Sequence, residues 1–238
     1  MGRIPRIYFE GAIYHITVRG DNKEQIFVDK IDRLKYIKIV REYQKKYGFE
    51  IYAYVLMPNH IHFIIEPSDK ANISVIMHHI NNGYAKYFLW KYKRVGHVFQ
   101  SRFFSNVIEK DSYLLSAVRY IHLNPVRAGL VKKPADWEWS SIQEYIGRKL
   151  SGLKVNIDFL LGTLAEPKGE QIRIFNQLHI EDITEKDTVL RKMLENSFFV
   201  GSDDYITNMN QRFGIGRKKA GRPKNSCLAR ISLAAKSE

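Results

Sequence analysis

The chain has 238 residues, of which 45% are hydrophobic and 13% aromatic, a composition that excludes an intrinsically disordered protein. The single cysteine, Cys227, excludes an internal disulfide and a zinc cluster of several thiolates. A formal net charge of +13 favours a polyanion as partner, most often a nucleic acid, over a generic basic protein.

No segment of the sequence looks like a membrane anchor or a secretion signal. No stretch approaches the roughly 20 apolar residues of a membrane span. The N-terminus has no apolar run like the core of a signal peptide. We therefore predict a cytoplasmic protein without a membrane partner.

Charge divides the chain into three parts. Residues 1–150 hold 24 Lys and Arg against 14 Asp and Glu, residues 151–210 hold 6 against 10, and residues 211–238 hold 8 against 1. We predict a domain over residues 1–150, a helical extension of unknown role over residues 151–210, and a basic, disordered tail over residues 211–238.

Hydrophobic periodicity predicts alternating strands and helices in the first domain. In chain order these are a strand (13–20), a helix (29–48), a strand (49–57), its hairpin partner (60–66), a helix interrupted by Gly83 (71–93), a strand (97–109), and a helix that Asp111 or Ser112 caps and Pro125 ends (111–124). The order β-α-β-β-α-β-α indicates an α+β fold, an antiparallel sheet with helices packed on one face.

Two histidines in the segment HIHFIIE, His60 and His62, lie one residue apart on a predicted strand. Alternate side chains of a strand point to the same face, so both imidazoles can bind one divalent cation. The alternative is a pair of exposed histidines on a half-solvated sheet face, and without further signals it is slightly favoured.

A tyrosine and an asparagine, Tyr120 and Asn124, are spaced one helical turn apart in the segment RYIHLNP. A tyrosine can attack phosphorus as a covalent nucleophile, and an amide oxygen can be the third ligand of a cation held by two histidines. The alternative for Tyr120 is a packed helix residue with its hydroxyl at the surface. His122 faces away from Tyr120 on a helix and is left out of the metal set.

Over about residues 8 to 146 the chain resembles the single-tyrosine HUH transposases that act on single-stranded DNA, and in particular the REP-associated tyrosine transposases of the IS200-like superfamily. The resemblance rests on five blocks in the family's order: YHITVRG, AYVLMPNHIHFIIEP, VFQSRFFSNVI, YIHLNPVRAGLV and DWEWSS.

This resemblance implies a ferredoxin-like HUH fold and a site for Mg²⁺ or Mn²⁺. By position, His60, His62 and Asn124 hold the metal, and Tyr120 is the catalytic nucleophile. The implied reaction is cleavage and rejoining of single-stranded hairpin DNA, a REP-like palindrome, through a covalent 5′-phosphotyrosine link. The family also leaves a homodimer open.

Two other functions share part of this pattern. A domesticated copy could bind hairpin DNA without cleaving it, and a replication-initiation nickase would use the same chemistry. Conjugative relaxases are disfavoured, because their tyrosine precedes the histidine pair. No G-x-x-x-x-G-K-[ST] loop is present for ATP.

DNA contacts are predicted from basic residues near the motifs and in the tail. Arg19 follows the first strand, Arg127 follows the tyrosine, and Arg102 lies among phenylalanines that can stack on unpaired bases or belong to the core. In the tail, Gly-Arg-Pro flanked by basic residues resembles an AT-hook, with a non-specific basic tail as the more favoured alternative. The tail candidates are Arg217, Lys218, Lys219, Arg222 and Lys224.

Overall fold

The computed structural model describes residues 6–110, 112–148, 152–164, 168–180 and 184–215. Asp111, a predicted helix cap, lies outside the described residues. The same holds for the tail candidates Arg217, Lys218, Lys219, Arg222 and Lys224. Within the described ranges, no helix is both long enough and apolar enough to cross a membrane.

Strands and helices alternate as the sequence predicts, which confirms the α+β class. The first seven elements are β1 (Ile13–Arg19), α1 (Lys30–Tyr47), β2 (Glu50–Leu56), β3 (His60–Glu66), α2 (Ile73–Tyr92), β4 (Phe104–Ile108) and α3 (Ser112–Arg127). They are followed by α4 (Ile142–Tyr145), α5 (Ile157–Leu161), α6 (Lys168–Ile180), α7 (Glu185–Asn196), β5 (Phe199–Val200) and α8 (Asp203–Phe213). Short 3-10 turns occupy Asp21–Lys23 and Pro134–Asp136.

The sheet has the strand order β2-β3-β1-β4-β5. Strand β1 pairs antiparallel with both β3 and β4, and β2 pairs antiparallel with β3. The first four strands therefore have the arrangement of a ferredoxin-like fold, as expected. The sequence did not indicate β5, which pairs parallel to β4 and extends the sheet with residues from the C-terminal extension.

The β2–β3 hairpin turns at Pro58 and Asn59, as predicted. The Met57 N–H donates to the His60 carbonyl at 2.9 Å, and the Pro58 carbonyl accepts the N–H of Ile26 at 2.9 Å. These contacts set the register of β3 against β1, in which Thr17 lies opposite His62. The polar residues of the two strands therefore share one face.

Helices α1 and α2 cover one face of the sheet. Helix α1 begins with a reciprocal cap between Asp29 and Asp32 and ends at Gly48, whose φ of 67° favours glycine. Ile16 and Phe63 are fully buried in the core beneath these helices. This layer is the hydrophobic base that holds β1 and β3 in place.

The second face is also covered by helices, so the prediction of helices on one face is wrong. Helix α3 packs there together with α5, α6 and α7, and Ile13, Ile64 and Phe175 belong to the same buried cluster. The physical reason is visible in β2, where every residue from Ile51 to Leu56 is buried. A continuous apolar strand is typical of a sheet covered on both faces, whereas a half-solvated sheet alternates.

Two predicted elements differ in extent. Helix α2 runs unbroken through Gly83, because a glycine inside a helix costs only about 1 kcal/mol relative to alanine. A Cβ at this position would lie 3.5 Å from the Ile39 side chain of α1, an ordinary packing distance. The predicted strand over residues 97–109 is shorter, since regular pairing begins at Phe104 and only an isolated bridge joins Phe99 to Gly20.

Candidate active site

A cleft of about 680 Å³ lies between the sheet and helices α3 and α7. Every predicted site residue in the described part of the chain lines it. These residues are Arg19, His60, His62, Arg102, Tyr120, Asn124 and Arg127. They come from β1, β3, the segment before β4, and α3, so the fold gathers side chains that are up to 108 positions apart in the sequence.

His60 and His62 lie next to each other in the cleft, with ring centroids 5.0 Å apart. The exposed-pair alternative is wrong for His62, which is only 6% exposed because α3 covers this face. Burial, with a smaller effect from Arg19, lowers the pKa of His60 to about 4, and burial holds the pKa of His62 well below its ordinary value. Both rings are therefore neutral at physiological pH, which is the form that binds metals.

The hydrogen bonds of the two rings leave the same nitrogen of each for a cation. His60 Nδ1 lies 2.7 Å from Asn59 Oδ1. His62 Nδ1 lies 2.9 Å from His15 Nε2 and 3.1 Å from Thr17 Oγ1. In both histidines Nδ1 is engaged by a neighbouring side chain, so Nε2 is the candidate metal ligand.

Asn124 lies one turn after Tyr120, near the end of α3. Its Nδ2 donates to the carbonyls of Tyr120 at 3.0 Å and Ile121 at 3.3 Å. The prediction that Pro125 ends the helix is wrong, because α3 continues to Arg127. Pro125 has no N–H to donate to the Ile121 carbonyl, and the Asn124 side-chain amide donates to that carbonyl instead. The orientation of this amide leaves Oδ1 as its acceptor atom.

Two neutral imidazoles and one amide oxygen make a mixed nitrogen and oxygen donor set. Such a set can hold a divalent cation, since imidazole nitrogens suit transition metals and an amide oxygen suits harder cations such as Mn²⁺. In the described residues, no group of three His, Cys, Asp or Glu side chains could hold a metal. Beside the two histidines, Asn124 is therefore the candidate for a third protein ligand.

Tyr120 is 4% exposed, and its ring lies edge-on to the rings of His62 and His15. Its ring centroid lies 6.0 Å from that of His62, at an interplanar angle of 88°. The Arg127 guanidinium lies 4.7 Å from the Tyr120 ring centroid. Burial raises the pKa of the Tyr120 phenol and Glu195 raises it further, while Arg127, Arg191 and Arg19 act in the opposite direction. The phenol is therefore protonated at neutral pH.

Basic side chains surround the cleft. Arg19 extends from the end of β1, and Arg102 is exposed at the rim. Beside Arg102, Phe103 is buried under the Arg6 guanidinium, whereas Phe104 is 39% exposed and lines the cleft. Phe104 is thus available to stack on a base, and Phe103 belongs to the core.

The sequence also offers His15 as a residue that could line the site, and it does line the cleft. Thr17, two residues further along β1, was not singled out, and the period of two along the strand is the signal that could have placed it beside His62. Arg191 and Glu195 come from α7, and no local pattern marks them. His122 points away from the cleft, as predicted, and contacts His179 and Ser141 instead.

Residues 8–124 match the family model described as "Transposase IS200 like". This part of the chain is therefore similar to the IS200-like transposases, and the family description together with the names of the curated relatives indicates a tyrosine transposase as the class of enzyme.

The curated relatives are named as REP-associated tyrosine transposases. The chain is 26% identical to one from Haemophilus influenzae over 153 residues, 59% of this chain and 85% of the relative. It is 28% identical to one from Escherichia coli K12 over 154 residues, 63% of this chain and 88% of the relative.

One solved structure, a REP-associated tyrosine transposase bound to a REP hairpin, shares the fold. It superposes with a TM-score of 0.53 at 24% identity, over 66% of this chain and 93% of that chain.

Proposed function

We propose that this protein cleaves and rejoins single-stranded hairpin DNA in a metal-dependent reaction through a 5′-phosphotyrosine intermediate on Tyr120. The observation that carries the proposal is the contact of the buried Tyr120 ring with His62, beside His60 and Asn124, in one cleft of one chain. The hairpin substrate is supported by the relatives, one of which was solved with a REP hairpin.

The reaction needs only a phosphodiester exchange. The Tyr120 hydroxyl oxygen attacks phosphorus, loses its proton, and forms a phosphotyrosine bond as the bond to the 3′ oxygen breaks. The departing 3′ oxygen takes up a proton. A 3′-OH later attacks the phosphotyrosine, which restores the phosphodiester and the free phenol. Neither water nor ATP is consumed, because the covalent link keeps the phosphodiester energy.

His60 Nε2, His62 Nε2 and Asn124 Oδ1 would hold the divalent cation, Mg²⁺ or Mn²⁺. A bound cation supplies Lewis acidity that polarises the phosphate and stabilises charge in the transition state. Burial keeps the Tyr120 phenol protonated. The positive charges of Arg19 and Arg127 would therefore act in two ways: they bind phosphates, and they stabilise the phenolate that forms during the attack.

The DNA backbone would lie along the basic rim of the cleft. Arg19, Arg102 and Arg127 line this cleft and would contact phosphates, and the exposed Phe104 would contact an unpaired base. Phosphate contacts release counterions, so we expect Arg19→Ala to reduce the dependence of log affinity on log salt by about one unit. The tail residues would add non-specific affinity.

A single chain brings together Tyr120 and the candidate metal ligands, so the site does not require a second copy. We also propose that the protein can form a homodimer, and a measurement of its molecular mass in solution tests this.

A cleavage assay tests the proposed function. The protein is mixed with labelled hairpin oligonucleotides drawn from palindromes flanking its own gene, with Mg²⁺, Mn²⁺ or EDTA, and the products are run on a denaturing gel before and after protease treatment. We expect a metal-dependent, protease-sensitive adduct in the wild type. The matched control is Tyr113→Phe, which removes a hydroxyl from the same helix outside the cleft.

Tyr120→Phe should bind the DNA and form no adduct. Binding without an adduct in the wild type, with both metals and many hairpins, would instead support the domesticated, non-cleaving DNA-binding protein. Dependence on a partner helicase and a replication origin would support the nickase.

A further inference from the structure

Three polar side chains form a buried chain of hydrogen bonds across the centre of the sheet. Asn106 on β4 lies opposite His15 on β1, and His15 reaches His62 on β3. Asn106 Oδ1 lies 3.1 Å from His15 Nδ1, and His15 Nε2 lies 2.9 Å from His62 Nδ1. Asn106 and His15 are each 1% exposed, so bulk water does not compete for these contacts.

The C-terminal extension determines which end of the Asn106 amide faces His15. Asn106 Nδ2 donates to the Leu194 carbonyl at 2.9 Å and more weakly to the Met193 carbonyl at 3.4 Å. Both acceptors are in the last turn of α7, where the Met193 carbonyl also accepts the N–H of the C-cap residue Ser197 at 2.9 Å. Since a carbonyl can only accept, the NH₂ group must face α7 and the amide oxygen must face His15.

The direction of each remaining hydrogen bond follows from that orientation. Asn106 Oδ1 accepts, so His15 Nδ1 carries the proton. Burial keeps His15 neutral with a single N–H, so its Nε2 can only accept. His62 Nδ1 must then donate, and the neutral His62 ring is left with a lone pair on Nε2.

We propose that Asn106 and His15 are positioning residues that hold His62 with its proton on Nδ1 and its Nε2 lone pair available to a divalent cation. Free imidazole side chains favour the opposite tautomer, with the proton on Nε2, which cannot bind a metal through that atom. The proposal also gives the C-terminal extension a role, because the last turn of α7 orients Asn106. It rests on the proposed function for the presence of the metal, but the tautomer itself is a property of the metal-free protein.

Long-range ¹H–¹⁵N correlation spectra of the metal-free protein, labelled with ¹⁵N at histidine, test the tautomer directly. In the wild type we expect His62 to show a protonated Nδ1 and a bare Nε2. Asn106→Leu removes the acceptor for His15 at nearly constant volume. His15→Phe removes the nearer of the two possible acceptors for His62 Nδ1, the other being Thr17 Oγ1 at 3.1 Å. Both should move the His62 proton towards Nε2. His15→Gln supplies an amide oxygen as a new acceptor and should restore the Nδ1 proton.

The buried pair of His122 and His179 serves as an internal control in the same spectra. His179 Nδ1 faces the Phe175 carbonyl at 2.8 Å, and His122 Nδ1 faces His179 Nε2 at 3.0 Å. Their signals should not change in any of these variants, because they lie on the other side of α3. A change there would report a general loss of structure instead of a local effect on His62.

Mn²⁺ affinity, measured by electron paramagnetic resonance of the free ion, is the second readout. We expect Asn106→Leu and His15→Phe to weaken binding by about 10-fold to 100-fold, with recovery in His15→Gln. A wild type in which His62 carries its proton on Nε2, or folded variants in which the tautomer does not change, would overturn the proposal. A wild type with the expected tautomer but without Mn²⁺ binding would support the tautomer assignment and contradict the metal site.

Discussion

Arg119 on α3 and Asp187 on α7 form an ion pair whose side chains are only 11% and 9% exposed. Arg119 directly precedes Tyr120, so this pair fixes the C-terminal extension against the helix that carries the candidate nucleophile. The same helix α7 brings Arg191 and Glu195 into the cleft. The extension is therefore a wall of the candidate active site.

Breaking this pair should destabilise the protein. Asp187→Asn keeps the shape of the side chain but leaves the Arg119 charge unbalanced in a buried position, which we expect to lower the free energy of unfolding by about 3 kcal/mol. Urea denaturation followed by circular dichroism measures the change. As a control, Glu170→Gln breaks an exposed pair with Arg173 on α6, and we expect no measurable effect. Equal stability of Asp187→Asn and wild type would show that α7 is not held by this pair.

Acid should destabilise the protein below about pH 6.5. Burial lowers the pKa of His179 from 6.5 to about 4 and holds the pKa of its partner His122 well below the ordinary value. A depressed pKa means that the unfolded chain binds a proton that the folded chain excludes, so stability is complete above pH 6.5 and falls as the pH drops towards 4.

Each such histidine removes up to about 1.4 kcal/mol per pH unit in this window. Urea titrations between about pH 7.5 and about pH 4.5 measure the slope. His179→Gln removes one titrating group. The free energy of unfolding of this variant should therefore depend less steeply on pH, even if its value at neutral pH also changes. An unchanged slope would mean that His179 is already protonated in the folded state.

Metal binding should depend on both His60 and Asn124, and the fold should not depend on His60. We expect His60→Ala and Asn124→Ala each to weaken Mn²⁺ binding by at least about 10-fold, because a direct ligand contributes more than its outer-shell partners do. The control is His97→Ala, which removes an exposed histidine outside this cleft. Unfolding of His60→Ala would indicate that this histidine has a structural role.

The pH dependence of cleavage should shift in opposite directions in two variants. Arg127 lowers the pKa of Tyr120 and Glu195 raises it, against a larger increase caused by burial. In Arg127→Gln the phenol should therefore ionise at higher pH, and the rising limb of the rate profile should move to higher pH. In Glu195→Gln it should move to lower pH. Single-turnover rates at saturating DNA separate this effect from binding, and a shift of both variants in the same direction would contradict it.

Local periodicity was sufficient to predict the order of the first seven elements and the shared face of His60 and His62, because alternation along a strand depends only on neighbouring residues. The covering of the second sheet face by α3 and α7 was missed, although the continuous apolar run of β2 indicated it. The prediction that Pro125 ends α3 rests on the low helix preference of proline. In the structure the Asn124 side chain donates to the Ile121 carbonyl in place of the missing proline N–H, and the helix continues.

Other parts of the site depend on contacts that no local pattern contains. Arg191 and Glu195 reach the cleft because Arg119 and Asp187 pair across 68 positions of sequence. The link from Leu194 through Asn106 and His15 to His62 joins α7 to three strands. Long-range packing of this kind appears only once the chain is folded.

The most direct test of the central claim is to identify the residue that carries the DNA. The covalent adduct formed with hairpin DNA and Mn²⁺ would be digested with nuclease and trypsin, and the modified peptide sequenced by mass spectrometry. We predict a 5′-phosphonucleotide on Tyr120, with the matching DNA fragment ending in a free 3′-OH. A nucleotide on another tyrosine, or cleavage products with no protein attached, would contradict the account.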